Sequence, residues 1–150
     1  MEKTVVSLNS LINQIIEQCK PDYANRKIKF ELETLPDVLG DFILLQSVFQ
    51  NIISNAIKFT SKKEEAFIKI GLIKKDNKKI IYIKDNGAGF DMAYSGKLFG
   101  VFQRLHSEND FSGTGIGLAN VKQIITKHGW TIHAEAEIDK GATFFITLEI

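Results

Sequence analysis

Two stretches of the chain repeat their apolar residues at the three- and four-residue spacing that buries one side of an α-helix. They are residues 7–20 and residues 41–59, and each starts at a residue that caps helices well, Ser7 or Asp41. A third helix is predicted over residues 115–127, where the sequence HGW ends it.

Five other stretches have the alternation or the β-branched and aromatic content of strands. They are residues 27–33, 64–75, 78–85, 131–138 and 142–150. The sequences KDNK and DKG join neighbouring strands and predict hairpins, and LPDVLGD (residues 35–41) is interpreted as a turn. This order of elements predicts an α+β fold. We expect a two-layer α/β sandwich, in which a mixed, mostly antiparallel five-stranded sheet carries about three helices on one face.

The composition favours one globular domain. The chain has 150 residues, 44% of them hydrophobic, which is sufficient for a closed core. The formal net charge of +1 provides no field that would attract nucleic acid or an anionic membrane. No apolar run approaches the ~20 residues of a membrane span, and the N-terminus lacks the layout of a signal peptide. With one cysteine and hence no internal disulfide, we expect a cytoplasmic protein.

The helix predicted over residues 41–59 has an unusual polar side. It carries amides, hydroxyls and a single lysine where a solvated helix surface would carry glutamates and lysines. Asn51, Asn55 and Lys58 are spaced i, i+4 and i+7, so they point the same way. An amide oxygen suits Mg²⁺, and a lysine one turn further on suits a phosphate. A merely polar helix face fits this segment as well.

A carboxylate and two glycines follow the strand predicted over residues 78–85. Asp85, Gly87 and Gly89 would also fit a hairpin turn, but no strand pattern returns after Phe90. A carboxylate at the end of a buried strand, beside glycines that leave space, can accept a hydrogen bond from the amine of adenine. It would favour adenine over guanine, and a charge-assisted hydrogen bond of this kind contributes roughly ten- to a hundredfold in affinity.

A second glycine cluster precedes the third helix. Gly113, Gly115 and Gly117 stand where backbone N–H groups and a helix N-terminus can approach a phosphate. Their spacing is not that of a dinucleotide-binding motif or a P-loop, and glycines also serve plain turns. Residues 86–115 show no period, and a loop of about 30 residues in a compact domain is usually functional or disordered.

Four motifs in order identify a family. QNIISNAIKFT, DNGAGF, KLFGVFQRLH and GTGIGLA resemble the N, G1, F and G2 boxes of the ATP-binding catalytic domain of sensor histidine kinases. That domain belongs to the gyrase, Hsp90, histidine kinase and MutL ATPase superfamily. The third motif is most similar to kinases of the phytochrome-like and hybrid type. The resemblance extends from about Val5 to Ile150 and implies the Bergerat ATP-binding fold with a long ATP lid.

The resemblance implies Mg-ATP as the cofactor and gives roles to the asparagine helix. Asn55 would bind Mg²⁺, and Asn51 and Lys58 would reach the phosphates. In the hydrolysing relatives, a glutamate one helical turn before the magnesium asparagine activates water. Asn51 occupies that position here and cannot act as a general base. The resemblance therefore implies a kinase with slow hydrolysis at most.

At the adenine end, the resemblance implies that Asp85 binds the amine and that Gly87 and Gly89 admit the base. Phe59 would pack beside the adenine. Ala142 replaces a threonine that is common in the family, so a threonine contact to the adenine water network is in doubt.

The resemblance places the ATP lid at about residues 93–112. Phe99 and Phe102 would anchor the lid to the core, Arg104 could approach the γ-phosphate, and Lys97 could contribute. Plain core packing of the phenylalanines and a solvated position for Arg104 or Lys97 are the alternatives. The residues after the lid would wrap the phosphates: Gly113, Thr114, Gly115, Ile116, Gly117 and Leu118.

The chain lacks the family's acceptor histidine, which lies in a motif such as H-E-[IVL]-[RK] on a dimerising helical hairpin. His106, His128 and His133 match no such motif and are expected to be surface or core residues. The expected partners are therefore a separate phosphoacceptor histidine domain and a response regulator. Nucleic acid and membrane are not expected partners, and the domain alone is expected to be a monomer.

Two other functions are considered. A degenerate nucleotide-binding module without turnover is disfavoured because Asn51, Asn55, Asp85 and the glycines are all present. A hydrolase or serine kinase of the same superfamily is disfavoured by Asn51 in place of glutamate.

Overall fold

Three α-helices form where they are predicted. The computed structural model describes residues 1–90 and 117–148. Its helices are α1 (Leu8–Cys19), α2 (Phe42–Phe59) and α3 (Gly117–Lys127). The side chains of the N-caps Ser7 and Asp41 accept hydrogen bonds from backbone N–H groups of the first turn, at 3.3 and 3.0 Å. Within these two ranges, no helix has both the length and the apolar character needed to cross a membrane.

The described residues contain seven strands in two sheets. They are β1 (Thr4–Ser7), β2 (Lys27–Leu32), β3 (Asp37–Gly40), β4 (Glu65–Lys75), β5 (Lys78–Asp85), β6 (Thr131–Glu137) and β7 (Gly141–Leu148). The larger sheet has the order β2-β4-β5-β7-β6; only its β2–β4 pair is parallel. This confirms the mixed, mostly antiparallel five-stranded sheet. Asp76 and Asn77 join β4 to β5 with positive φ angles of 54° and 63°, as a two-residue hairpin turn requires.

Strand β3 corrects one prediction. The segment interpreted as a turn contains a strand that pairs antiparallel with β1. Each strand has four residues and buries one large apolar side chain, Val6 or Val38, so neither has a visible alternation. Because β1 leads directly into α1 and β3 is separated from α2 only by Asp41, their pairing places the starts of the two helices side by side.

The core lies between the helices and one face of the five-stranded sheet. Alternate strand residues on that face are buried, among them Ile68, Ile70, Ile81, Ile83, Phe144 and Ile146. The residues between them, such as Phe67 and Lys84, are exposed on the opposite face. Period-two alternation therefore separates a covered face from an open one, and the predicted two-layer sandwich is confirmed.

Candidate nucleotide-binding site

The polar side of α2 is partly covered. Asn51, Asn55 and Lys58 each have intermediate exposure, whereas a fully solvated surface would leave them exposed. The Asn51 Nδ2 donates to the carbonyl oxygen of Ser47 at 2.9 Å. Within residues 1–90 and 117–148, the Asn55 amide and the Lys58 ammonium make no hydrogen bond or ion pair. An amide and a cation thus lie about one turn apart and are partly desolvated.

Asp85 ends β5 on the helix-covered face of the sheet and is only 5% exposed. Its Oδ1 accepts a hydrogen bond from the Gly87 N–H at 2.8 Å. Burial raises the pKa of Asp85 to about 6, although backbone N–H groups of Gly87 and Ala142 oppose the rise. A carboxylate has about four lone-pair sites, so Asp85 keeps acceptor capacity for an amine.

Ala88 fixes the loop after β5 to two other parts of the fold. Its N–H donates to the Phe59 carbonyl at 2.9 Å, and its carbonyl accepts from the Asp139 N–H at 2.7 Å. Gly87 approaches the same carbonyl so closely that a Cβ atom would lie 2.5 Å from the oxygen of Phe59. This loop therefore rests directly on the last residue of α2.

This contact brings the predicted adenine and metal residues to one end of α2. Phe59 lies one helical turn, about 6 Å, beyond Asn55 and directly follows Lys58. The Asp85 carboxylate is bonded to the loop that rests on Phe59. The structure therefore places the carboxylate beside the end of α2 that carries the amide and the cation.

The two glycines of this loop have a structural role that the sequence did not predict. Gly89 has a φ of +64°, and a Cβ atom there would overlap the Glu137 carbonyl oxygen. Gly87 is limited in the same way by the carbonyl of Phe59. Both positions require glycine because backbone packs against backbone there.

Asn86 continues the sheet with its side chain. Its Oδ1 accepts from the Phe67 N–H at 2.9 Å, and its Nδ2 donates to the Glu65 carbonyl at 3.0 Å. The amide thus bonds to β4 as a backbone peptide group would. The main chain after Asp85 is therefore free to turn towards α2.

Two residues with no predicted role also hold the end of α2. The Arg26 guanidinium donates to the carbonyl of Ile57 at 2.7 Å and to the Thr60 hydroxyl at 3.0 Å. The buried Thr60 hydroxyl also lies 2.8 Å from the carbonyl of Ala56, which it reaches as a donor. Arg26 is 31 residues from Ile57, so no local spacing rule links them.

The remaining predicted residues divide between described and undescribed parts of the chain. Gly117 begins α3, and Leu118 is partly buried against the core. His128 is buried. His133 is exposed, and its ring stacks on that of Phe145 with the ring centroids 4.8 Å apart. The lid residues and most of the second glycine cluster lie outside the described residues: Lys97, Phe99, Phe102, Arg104, His106, Gly113, Thr114, Gly115 and Ile116.

The described residues contain no group of three or more His, Cys, Asp or Glu side chains that could hold a metal ion by itself. Mg²⁺ usually keeps several waters and takes one or two protein oxygens together with substrate phosphates. The Asn55 amide fits that pattern, since an ion there would depend on a nucleotide for its remaining ligands.

Comparison with known proteins agrees with this geometry. Residues 40–150 match the family of histidine kinase-, DNA gyrase B- and HSP90-like ATPases. Cyanobacterial phytochrome A of Nostoc sp. is 40% identical over 118 residues, which are 79% of this chain and 15% of that protein. Phytochrome-like protein Cph1 of Synechocystis sp. is 33% identical over 147 residues, covering 98% of this chain and 20% of that protein. The chain therefore spans a fifth or less of these two relatives.

A solved structure shows the same fold. The catalytic domain of histidine kinase ThkA, in a nucleotide-free form, has a TM-score of 0.82 and 27% identity, and the match covers 99% of this chain and 95% of that one. The sequence match, the structural match and the two-layer architecture agree. The chain belongs to the histidine kinase-, DNA gyrase B- and HSP90-like ATPase family, and its relatives include a cyanobacterial phytochrome and a phytochrome-like protein.

Proposed function

We propose that this domain binds Mg-ATP and transfers the γ-phosphoryl group to a histidine on a separate phosphoacceptor domain. The observation that carries the proposal is the hydrogen bond from Ala88 to Phe59. It holds the loop of the Asp85 carboxylate against the end of α2 that bears Asn55 and Lys58. A base acceptor and a metal-phosphate pair on adjoining elements can bind the two ends of one nucleotide.

Each group then has a defined task. The ionised Asp85 carboxylate accepts a hydrogen bond from the adenine amine and discriminates against guanine. Asn55 would supply one oxygen ligand to Mg²⁺, and the ion would offset the negative charge of the phosphates. Lys58 offers its charge to the phosphates as a compact cation. Arg104 and the glycine cluster at 113–117 would complete the phosphate contacts.

Asn51 supports phosphoryl transfer in preference to hydrolysis. An amide cannot take a proton from water, and the Nδ2 of Asn51 already donates to the Ser47 carbonyl. Phosphoryl transfer to an imidazole depends on positioning and on charge stabilisation, and these need no general base for water.

The proposal extends to the domain's partners and location. Residues 1–150 act as one catalytic ATP-binding domain, and the acceptor histidine belongs to a separate domain in the same protein or in another chain. A response regulator then receives the phosphoryl group. Because these reactions consume cellular ATP, we place the domain in the cytoplasm. A degenerate nucleotide-binding module without turnover is the alternative.

Calorimetry on the purified domain tests nucleotide binding. ATP and GTP are titrated with and without Mg²⁺ into the wild type, Asp85→Asn and Asn55→Ala. We expect Asp85→Asn to lose roughly ten- to a hundredfold in ATP affinity and its preference over GTP. Asn55→Ala should lose the dependence on Mg²⁺. Gln50→Ala, an exposed change on the same helix, should bind as the wild type does. Unchanged binding in both site variants would refute the site.

Transfer is tested separately with γ-labelled ATP and a supplied acceptor domain from a relative or from the same protein. Labelled histidine on the acceptor supports the kinase. Tight Mg-ATP binding with no transfer to a cognate acceptor favours the degenerate module, and rapid steady-state phosphate release favours a hydrolase.

A further inference from the structure

His128 joins the end of α3 to the start of α2. Its ring is 6% exposed. The Nδ1 lies 2.8 Å from the carbonyl oxygen of Ile124, and the Nε2 lies 3.1 Å from the backbone nitrogen of Asp41. A carbonyl can only accept and a backbone N–H can only donate, so Nδ1 must carry a proton and Nε2 a lone pair. The two bonds together require one form of the ring, the neutral Nδ1–H tautomer.

The surroundings of His128 fix the position of the ring. Trp130 packs on it with ring centroids 4.9 Å apart. A Cβ atom on Gly40 would lie 2.7 Å from the Cδ1 of Leu45 and 3.1 Å from the Nε2 of His128, so glycine leaves space for both side chains. The bond to Asp41 reaches the residue whose side chain caps α2. The imidazole therefore links the last turn of α3 to the N-cap residue of α2.

This link determines how far α3 extends along α2. The two helices pack against each other and the end of α3 meets the start of α2, from which we infer that they run antiparallel. Gly117 lies 11 residues before His128, or about 16 Å along the axis. Asn51 and Asn55 lie 10 and 14 residues after Asp41, or about 15 and 21 Å. The N-terminus of α3 is thus level with Asn51 and about one helical turn short of Asn55.

We infer that His128 is a positioning residue for the phosphate end of the nucleotide site. The inference rests on the proposed function. His128 would not touch the nucleotide; it holds α3 at the height where the N–H groups at the helix N-terminus face phosphates bound near Asn51 and Asn55. The adenine end depends on a different contact, from Ala88 to Phe59. Loss of the imidazole link should therefore weaken phosphate binding and leave adenine binding unchanged.

The test compares ligands with and without phosphates. ATP with Mg²⁺ is titrated by calorimetry and adenosine by NMR into the wild type, His128→Phe and His128→Gln. Phenylalanine keeps the aromatic packing on Trp130 and removes both hydrogen bonds, whereas glutamine keeps one donor and one acceptor. We expect His128→Phe to lower ATP affinity about tenfold and to leave adenosine affinity unchanged. The reason is that α3 loses the hydrogen bond that aligns it with α2. His128→Gln should restore most of the wild-type ratio of ATP affinity to adenosine affinity.

Two further measurements keep the inference falsifiable. Gly40→Ala would crowd both the Leu45 side chain and the ring. If the imidazole nitrogen shifts of this variant show that the two hydrogen bonds are lost, its ratio of ATP affinity to adenosine affinity should fall, even if His128→Phe does not fold. The imidazole nitrogen shifts of the wild type should report the neutral Nδ1–H tautomer. Equal weakening of both ligands, no weakening of either, or the other tautomer would reduce His128 to a packing residue.

These outcomes are separable from failure of the proposed function. A wild type that binds neither ATP nor adenosine contradicts the proposed function itself. A wild type that binds ATP through Asp85, with an unchanged affinity ratio in His128→Phe and Gly40→Ala, contradicts only the role of His128.

Discussion

The two ends of α2 are held in the fold by different kinds of group. At the C-terminal end, the backbone of Ala88 bonds to the backbone of Phe59, and Gly87 fits closely against the same carbonyl. At the N-terminal end, side chains add to the backbone pairing of β3 with β1: the Asp41 carboxylate accepts from the Glu2 N–H at 3.0 Å, and the His128 imidazole accepts from the Asp41 N–H. The C-terminal end, which is the proposed adenine end, thus rests mainly on backbone packing with the Arg26 side chain added, whereas the N-terminal end includes more replaceable side-chain bonds.

This difference predicts two responses to mutation. Where backbone meets backbone, any added side-chain atom must displace a whole segment, so the cost is large and affects both folding and binding. Where side chains make the link, a substitution that preserves the donor and acceptor can preserve the geometry. We therefore expect the adenine end to tolerate fewer residue types than the opposite end does.

The largest effect is expected for Gly89→Ala. The new Cβ atom would overlap the Glu137 carbonyl at a φ of +64°. The combined strain should lower the free energy of unfolding by about 2–4 kcal/mol and abolish nucleotide binding. Denaturant unfolding and calorimetry measure the two effects.

Gly129→Ala is the matched control for that change. Gly129 also has a positive φ, 76°, but is exposed in the turn after α3. Gly129→Ala should lower the free energy of unfolding by only about 1 kcal/mol. Equal costs at the two glycines would show that backbone conformation, and not close packing, accounts for the effect.

The second-largest effect is expected for Asp85→Asn, which should raise the free energy of unfolding at pH 8. The folded-state pKa of about 6 exceeds the ordinary value of 3.8, so the native state binds more protons than the unfolded state between these pH values. The contribution of Asp85 to stability therefore falls as pH rises through this window, and above it the buried charge costs up to about 3 kcal/mol. At pH 8 the variant should be the more stable protein, with the gap closing towards pH 4. A less stable variant at pH 8 would contradict this assignment.

Nucleotide affinity should respond to the same group in the opposite direction. Protonation removes the charge that accepts from the adenine amine, so ATP affinity should fall about tenfold between pH 7.5 and pH 5 with a folded-state pKa near 6. ATP titrates in this range as well, so the measured quantity is the difference between the wild type and Asp85→Asn. If ATP affinity depends on pH in the same way in the wild type and in Asp85→Asn, the Asp85 carboxylate does not contact the adenine base.

The smallest effect is expected for Arg26→Met. Methionine retains much of the apolar length but loses the hydrogen bonds to Ile57 and Thr60. The free energy of unfolding should fall by about 1 kcal/mol. Lys27→Met, at an exposed neighbouring position, should change it by less than about 0.5 kcal/mol. If the two variants are equally stable, Arg26 does not hold the end of α2.

Most of the fold could be predicted because its elements are long enough to show a period. The 18 residues of α2 and the 11 residues of β4 repeat their pattern several times. Strands β1 and β3 show no such repeat, because four residues allow only about two alternations. Their pairing also depends on contacts across more than 30 residues, which no local window contains.

For the candidate site, the sequence indicates chemistry but not the contacts that bring the residues together. Asp85 and Asn55 stand out because a carboxylate after a buried strand and an amide on a polar helix stripe suit a ligand, and their roles stay predictions. The contacts that bring them together join distant residues with ordinary side chains, such as Arg26 with Ile57 or His128 with Asp41. The latter pair is separated by 87 residues, so only the tertiary structure reveals it. The predicted lid residues lie outside the part of the chain that the structure describes.

The amide of Asn86 has a consequence for how this domain ages chemically. Asparagine followed by glycine deamidates readily, because the glycine nitrogen can attack the side-chain carbonyl to form a succinimide. Here both polar atoms of Asn86 are bonded to β4, and the Gly87 N–H is bonded to Asp85. Ring closure would have to break all three bonds, so deamidation should begin from unfolded molecules. An aspartate at this position would then face the Glu65 carbonyl without a proton to donate, and the damaged chain would refold with a weakened adenine loop.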